Sequence, residues 1–485
     1  MKKLVFLIFL FIGLQTTQAQ KILSLDSCRT LAIENNKELL INKEKIKAAY
    51  YQKKGTFTNY LPKVSAQGTY MRNQKEFSLI TSQQKYDIRN MGNLVNESFQ
   101  EFAQNMGEKY PGVESLISTL GNEVAAPLND AGEAMVEALR TDTRNVYAGA
   151  ITVTQPLYMG GKIRAYNKIS NYAEKIAQEQ YLLGSQELLL NTDQTYWQVI
   201  ALTAKKKLAE SYLNLLQRFD SDLQKMIAEG VATKADGLSV QVKVNEAEMT
   251  LTKLEDGLAL SKMLLCQICG LNIHEPILLI DENLEDVSTI IPSTQFDIET
   301  AYANRPELRS LSLLENIANQ KVRIVRSDFL PSIALMGNYI VTNPNLFNSF
   351  QNNFRGMWNI GVAIQIPIWN WGEGIYKVKE AKSQALITKY QQQDIKEKVE
   401  LEVNQSAFKI NEALKTLVKA EKNLEKAEEN LHTARLSFNE GFMTSNQVLE
   451  AQTAWLAANS ERIDAQIDIK LSELYFQKSL GTLNK

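Results

Sequence analysis

The chain has 485 residues, 44% hydrophobic and 22% charged, so it is long enough for several domains with buried cores. Lysine and arginine number 53 against 55 acidic residues, and this balance disfavours nucleic acid as a partner. Only two histidines and three cysteines are present, and no phosphate-binding loop or nucleophile motif occurs. The composition argues against an enzyme, and we expect no cofactor or metal site.

Residues 1–19 have the pattern of a secretory signal peptide. Lys2 and Lys3 precede an apolar run that ends at Leu14, and small residues follow up to Ala19. The apolar run is too short for a transmembrane helix, and no later stretch approaches the roughly 18 apolar residues that such a helix needs. We therefore expect the mature chain to leave the cytoplasm.

The rest of the chain is two copies of one unit. Segments in the first copy match segments in the second: Leu61-Pro62 with Leu330-Pro331, Gln155-Pro156-Leu157 with Ile366-Pro367-Ile368, and Glu229-Gly230 with Glu440-Gly441. The number of residues between matching segments is the same for the last two pairs and larger for the first. The spacing changes once, so the first copy carries an insertion. The predicted organisation is a first repeat over 20–270 with an insertion at about 73–145, a linker over 271–295, and a second repeat over 296–485.

In chain order, each repeat predicts a helical stretch, a strand, a loop, a second strand and a long helical hairpin. The four strands are predicted at about 63–72, 146–155, 332–341 and 357–366. The last one is the clearest, because apolar residues alternate from Trp358 to Ile366 with small or polar ones. One face of these strands should be apolar.

The hairpins are predicted over 161–270 and 373–480. Val403, Ile410 and Leu417 begin a seven-residue repeat beside a second track of alanines, which is typical of a coiled coil. Each long helix should end at a glycine, Gly230 or Gly441, and a threonine, Thr233 or Thr444, should cap the return helix.

The strands have the length of tilted membrane-spanning strands, and aromatic residues lie at their ends. These residues are Tyr60, Tyr70, Tyr147, Tyr158, Tyr339, Trp358, Trp369 and Trp371. Four strands cannot close a barrel, because about eight are needed. We expect several copies to share one barrel, and three copies would leave its interior open. A soluble pair of hairpins is the alternative.

The order and spacing of these segments resemble the TolC family of outer-membrane efflux proteins. The resemblance implies an α/β membrane protein, mostly α, in which a homotrimer builds a twelve-strand barrel in the outer membrane of a Gram-negative bacterium. A helical tunnel would continue across the periplasm. The implied partners are outer-membrane lipid, a periplasmic adaptor (membrane fusion) protein and an inner-membrane efflux pump that supplies the energy.

The same resemblance implies functional residues at the helical tips. The adaptor-docking positions fall on Glu229, Gly230, Thr233, Glu440, Gly441 and Thr444. The positions of the periplasmic gate fall on Asp236, Phe438, Met443, Gln447 and Glu450. Phe438 and Met443 stand where the family has hydrogen-bonding side chains, whereas three copies of Glu450 would form an acidic ring that attracts cations. The glycine turns could also be simple helix stops.

The remaining features favour packing over chemistry. Cys266 and Cys269 form a Cys-x-x-Cys without other ligands nearby, and Cys28, His274 and His432 are isolated. The insertion has amphipathic patches that predict helices, and it could act as a lid over the pore or be passive. The expected function is an export duct for small molecules. The alternatives are the outer component of a type I protein-secretion system and a periplasmic coiled-coil protein without a pore.

Overall fold

The computed structural model describes residues 21–76, 78, 80–107, 112–140, 142–283, 296–345 and 351–483. The predicted signal peptide and residues 284–295 of the predicted linker lie outside these ranges. In the first repeat the elements are β1 (Lys21–Leu23), α1 (Leu25–Asn35), α2 (Lys37–Phe57), β2 (Lys63–Arg72), α3 (Ser82–Arg89), α4 (Met91–Gly107), α5 (Val113–Ala138), β3 (Asn145–Met159), α6 (Lys162–Ala228) and α7 (Lys234–Cys269). They are followed by β4 (Ile277–Leu279), α8 (Ile298–Asn304), α9 (Pro306–Ser327), β5 (Ser332–Asn343), β6 (Arg355–Gln365), α10 (Glu373–Asn439) and α11 (Ser445–Ser479).

The chain divides into two compact units. The helical unit comprises Met1–Thr56, Arg164–Val325 and Ile375–Lys485, and the sheet unit comprises Phe57–Ile163 and Arg326–Gly374. Among the described residues, none of the helices is both long enough and apolar enough to cross a membrane.

Two long helices dominate the helical unit. Helices α6 and α10 have 67 residues each, and they are followed by return helices of 36 and 35 residues. Val403, Ile410 and Leu417 of the seven-residue repeat are buried, together with Ala413 and Ala420 of the alanine track. The repeat therefore forms a packing seam, and the alanines allow close approach of the helices there.

The helical stretches that precede β2 and β5 are each split, although the sequence predicts them as continuous. Between α1 and α2 the side chain of Asn36 accepts hydrogen bonds from the backbone N–H groups of Glu38 and Leu39 and starts a new helix. The break between α8 and α9 falls at Arg305, because the following Pro306 disfavours the helical conformation there.

Part of the predicted linker is structured and belongs to the core. Strand β4 pairs in parallel with β1, so Lys21 lies opposite Ile277 and Leu23 opposite Leu279. Leu23 and Leu279 are buried in a cluster with the three cysteines, Tyr196 and Leu265. A three-residue strand carries too little periodicity to be predicted, and its partner is more than 250 residues away in the sequence.

The N-terminal helix α1 is also fixed by a buried ion pair. Arg29 donates hydrogen bonds from Nε and Nη2 to the carboxylate of Asp193 on α6, at 2.9 and 2.5 Å. The Asp193 side chain is fully buried. Burial raises the pKa of Asp193, and the contact with Arg29 opposes this effect. Removing Arg29 would leave a buried carboxyl group without its partner, which would destabilise the contact between α1 and α6.

The sheet unit contains one antiparallel sheet of four strands in the order β2-β3-β5-β6. Strand β3 is longer than the sequence predicts, since it continues past an irregularity between Pro156 and Tyr158 and reaches Met159. Within the part of the chain that the structure describes, β2 pairs with β3 alone and β6 with β5 alone, so both edges of the sheet lack a partner strand.

The insertion between β2 and β3 is helical, as its amphipathic patches predict. Helices α3, α4 and α5 occupy it, and α5 packs against both of the others. Glycines make this packing close: a Cβ atom on Gly92 would collide with the backbone of Ala125, and one on Gly132 with the backbone of Ile88.

Candidate functional site

The first candidate site is the apolar face of the sheet. The strand register places residues of the four strands side by side in rows across this face. One row is Ala66, Ile151, Tyr339 and Trp358, and the next is Val64, Val153, Gly337 and Ile360. Leu335 with Val362 and Ile333 with Ile364 continue the face across β5 and β6. The rows contain no charged side chain, and the apolar side chains on β6 are well exposed.

The opposite face of the same sheet is mainly small or polar. Its rows include Ser65 with Thr152 and Asn338 with Asn359, and the two asparagine side chains share a hydrogen bond of 3.0 Å. A sheet with one apolar and one polar face suits a boundary between hydrocarbon and water.

The eight predicted interface aromatics are all exposed. Tyr70 and Tyr147 are cross-strand neighbours, with ring centroids 4.9 Å apart. At the other end of the sheet, the rings of Trp369 and Trp371 meet edge to face with centroids 5.8 Å apart, and Trp371 is 87% exposed. Aromatic side chains therefore flank the apolar rows at both ends, as they do in membrane barrels.

The second candidate site is the pair of helical tips, which have the same geometry in both repeats. Gly230 and Gly441 have φ angles of 77° and 79°, a left-handed conformation that favours glycine. In each turn the glycine N–H and the next N–H donate to carbonyls of the last helical turn, as in a Schellman motif. Thr233 and Thr444 then cap the return helices in capping boxes.

Asp236 connects the two tips. Its Oδ1 accepts a hydrogen bond of 2.6 Å from Ser445 Oγ, while its Oδ2 accepts one from Thr233. These bonds, chiefly the one from Ser445, lower the pKa of the Asp236 carboxyl group. The first turns of α7 and α11 are thus joined by one carboxylate. No sequence pattern identifies Ser445 as the partner, because the two residues are 209 positions apart in the chain.

The other predicted gate residues have different environments. Phe438 packs edge to face against Phe219 in the core of the helical unit, and Met443 packs against a cluster around Leu431. Gln447 accepts a hydrogen bond from the Thr444 backbone N–H in the capping box. Glu450 is exposed and has no ion pair among the described residues.

The tips also carry exposed apolar side chains that the sequence patterns did not identify as functional. Phe442 is 85% exposed and Val231 is 70% exposed, and each directly follows the glycine of its turn. The one sequence feature that points to them is that they occupy equivalent positions in the two repeats. Within the described residues, Glu229 and Glu440 flank these apolar groups and are also exposed.

Comparison with known proteins identifies the family. A family model described as outer membrane efflux protein matches residues 118–271 and 298–482, well over half of the chain. The chain therefore belongs to the outer membrane efflux protein family, a class of outer-membrane export channels. The predicted family and fold class are confirmed, and the proteins it matches are channel and secretion proteins rather than enzymes.

Individual relatives are distant. The alkaline protease secretion protein AprF of Pseudomonas aeruginosa is 22% identical over 265 residues, which is 53% of each chain, so the match spans about half of that relative. The outer membrane protein TolC of Vibrio cholerae is 21% identical over 344 residues, covering 70% of this chain and 78% of TolC. The crystal structure of the outer membrane protein VceC from Vibrio cholerae superposes with a TM-score of 0.70 at 15% identity, covering 94% of this chain and 96% of VceC.

Proposed function

We propose that three copies of this chain form one export channel, in which their sheets close into a shared barrel of twelve strands in the outer membrane. The apolar rows contact lipid, and the polar face lines a water-filled lumen. The helices form a tunnel in the periplasm. Transport through the lumen is passive, and its energy comes from a partner in the inner membrane.

The open edges of the sheet support this proposal most directly. Among the described strands, β2 and β6 each have one edge without a partner, and unpaired backbone groups are very costly in hydrocarbon. Two copies would supply about the eight strands of the smallest barrels, whose interior is filled by side chains. With three copies, each β2 edge still pairs with a β6 edge, and the larger barrel leaves room for a lumen.

The tips are the proposed docking site for a periplasmic adaptor. Glu229, Gly230 and Thr233 in one repeat and Glu440, Gly441 and Thr444 in the other form two equivalent turns. The exposed Val231 and Phe442 offer an adaptor an apolar contact, and aromatic side chains such as Phe442 are enriched at protein interfaces. Asp236 and Glu450 are the proposed polar groups of the gate, while the packing of Phe438 and Met443 supports a structural role for these two residues.

Small molecules are the proposed substrates, in keeping with an efflux family. Protein secretion is the second candidate, because AprF is named as a secretion protein. Deleting the gene distinguishes the two: loss of an efflux channel raises the cellular accumulation of dyes or antibiotics, whereas loss of a secretion channel removes a protein from the culture medium.

Purification in detergent tests the channel itself. We expect light scattering to give the mass of three copies and planar bilayers to show stepwise conductance. A mass of one copy, or recovery of the protein in the soluble periplasmic fraction, would contradict the proposal and favour a structural coiled-coil protein.

A further inference from the structure

The insertion forms an amphipathic helical hairpin with an uncovered apolar side. Helices α4 and α5 run antiparallel in close contact, and paired asparagines line this contact: Asn129 Nδ2 donates to Asn93 Oδ1 at 2.8 Å, and Asn96 Nδ2 donates to Asn122 Oδ1 at 3.0 Å. With small residues at the contact, the hairpin has little freedom to rearrange, and its exposed side chains keep their positions.

The apolar side consists of one row from each helix. On α5, Leu116, Leu120 and Val124 recur every four residues, and Leu116 is 64% and Leu120 46% exposed. On α4, Met91 and Phe102 are likewise exposed. With about 3.6 residues per turn, each row lies between a third and a half of a turn from the helix–helix contact and in the same rotational sense on both helices, so in an antiparallel pair the two rows lie on the same side of the hairpin.

Acidic side chains occupy the other side. They are Glu97 and Glu101 on α4 and Asp130, Glu133 and Glu137 on α5. The hairpin therefore has a charged back that suits water and a separate apolar side that requires a partner, since large exposed apolar patches mark interaction sites.

The neck of the insertion is tied to the end of the sheet. The Arg140 guanidinium lies 3.2 Å from the Glu76 carboxylate, and Arg144 pairs with both Glu76 and Asp142. The Asn73 side chain donates to the Thr143 carbonyl at 2.9 Å and links the two chains of the neck. These ion pairs and this hydrogen bond hold the base of the hairpin in a fixed position next to β2 and β3.

The position of β2 indicates which partner covers the apolar side. Strand β2 is an open edge of the sheet, so in the proposed trimer it pairs with β6 of the next copy, and it leads directly into the neck. Each hairpin thus starts at a boundary between copies. The chain enters and leaves the hairpin at the Arg72 and Asn145 end of β2 and β3, whereas α6 follows the other end of β3, so in the proposed channel the hairpin belongs to the outer mouth of the pore. Three-fold symmetry brings three identical apolar sides to this mouth.

We propose that the three insertion hairpins pack against one another through these apolar sides and form a helical cap over the outer mouth of the channel. The partner of each apolar side is a second copy of this chain. The proposal rests on the proposed trimer and adds to it a closing element at the cell surface. Lipid and a separate protein are the alternative partners.

Cross-linking of single cysteine variants tests the contact. Leu120→Cys lies in the apolar row, and Glu133→Cys lies on the charged back of the same helix as the matched control. The three native cysteines are buried, so a short bis-maleimide reacts with the introduced thiols. On outer-membrane vesicles we expect covalent dimers and trimers for Leu120→Cys and no such bands for Glu133→Cys.

The outcomes separate this proposal from the proposed function. A detergent-solubilised trimer that gives no cross-links at Leu120 would overturn the cap alone, and would mean that lipid or another protein covers the row. A protein with the mass of one copy would overturn the channel as well. Equal cross-linking of both variants would show random collisions and would also overturn the cap.

Conductance gives an independent readout. We expect the triple variant Leu116→Ser, Leu120→Ser and Val124→Ser to keep the mass of the trimer and to raise conductance in planar bilayers, as deletion of 90–141 should. Glu133→Ser is the control and should leave conductance unchanged. Unchanged conductance in both the triple variant and the deletion would overturn a closing role.

Discussion

Asp236 is the residue that makes the two tips one structure. Its carboxylate accepts hydrogen bonds from the first residue of α11 and from the cap of α7, and both bonds are stronger to the ionised form. Because the pKa of Asp236 is lowered in the folded protein, this contribution to stability is present above the unfolded pKa of about 4 and is lost as the pH falls through the folded pKa.

We predict that acidification loosens both tips together. Below about pH 4, the hydrogen-exchange protection factors of the amides in the first turns of α7 and α11, taken relative to unstructured peptide at the same pH, should fall. Asp236→Asn should show lower protection already at neutral pH, by about the fivefold that corresponds to a lost capping-box interaction of roughly 1 kcal/mol, and should respond little to acid. Asp222→Asn, an exposed aspartate on α6, is the control. Accelerated exchange at one tip only would contradict a shared link.

In the sheet, the two faces of each strand carry side chains of different polarity. Ile360 lies in an apolar row at the middle of β6, and its neighbour Asn359 lies on the polar face. A one-residue change of position therefore moves a side chain from the proposed lipid contact to the proposed lumen.

This difference provides a matched pair of variants. Ile360→Arg should lose assembly, because an arginine at the lipid face near the middle of a membrane costs about 2–4 kcal/mol per copy. Asn359→Arg should keep the trimer and change the ion selectivity of the pore. The measurements are the heat-sensitive trimer band in outer-membrane fractions and the reversal potential in bilayers. A trimer that tolerates Ile360→Arg as well as Asn359→Arg would argue against lipid contact at this face.

In the whole molecule, mutations should be able to affect docking at the tips without affecting conductance through the channel. Conductance depends on the shared barrel, whereas export in cells depends on a partner that docks at the tips. Phe442 is the most exposed apolar side chain at a tip, and it makes no contribution to the buried clusters.

We predict that Phe442→Ser lowers export in cells while the purified trimer keeps the wild-type conductance. The accumulation of a fluorescent dye in cells measures export, and planar bilayers measure conductance. Phe408→Ser, a similarly exposed phenylalanine away from the tip, is the control and should change neither. Unimpaired export with Phe442→Ser would place adaptor docking elsewhere.

The sequence by itself determined the duplication, the strands with one apolar face and the long hairpins that end at Gly230 and Gly441. These features depend on local periodicity and turn chemistry, which a chain carries without its fold. Only the tertiary structure decided that β1 pairs with β4, that Ser445 binds Asp236, that Phe438 packs on Phe219 and that both apolar rows of the insertion share one side. Each of these contacts joins residues distant in sequence or depends on the relative orientation of two helices, and no local pattern encodes that information.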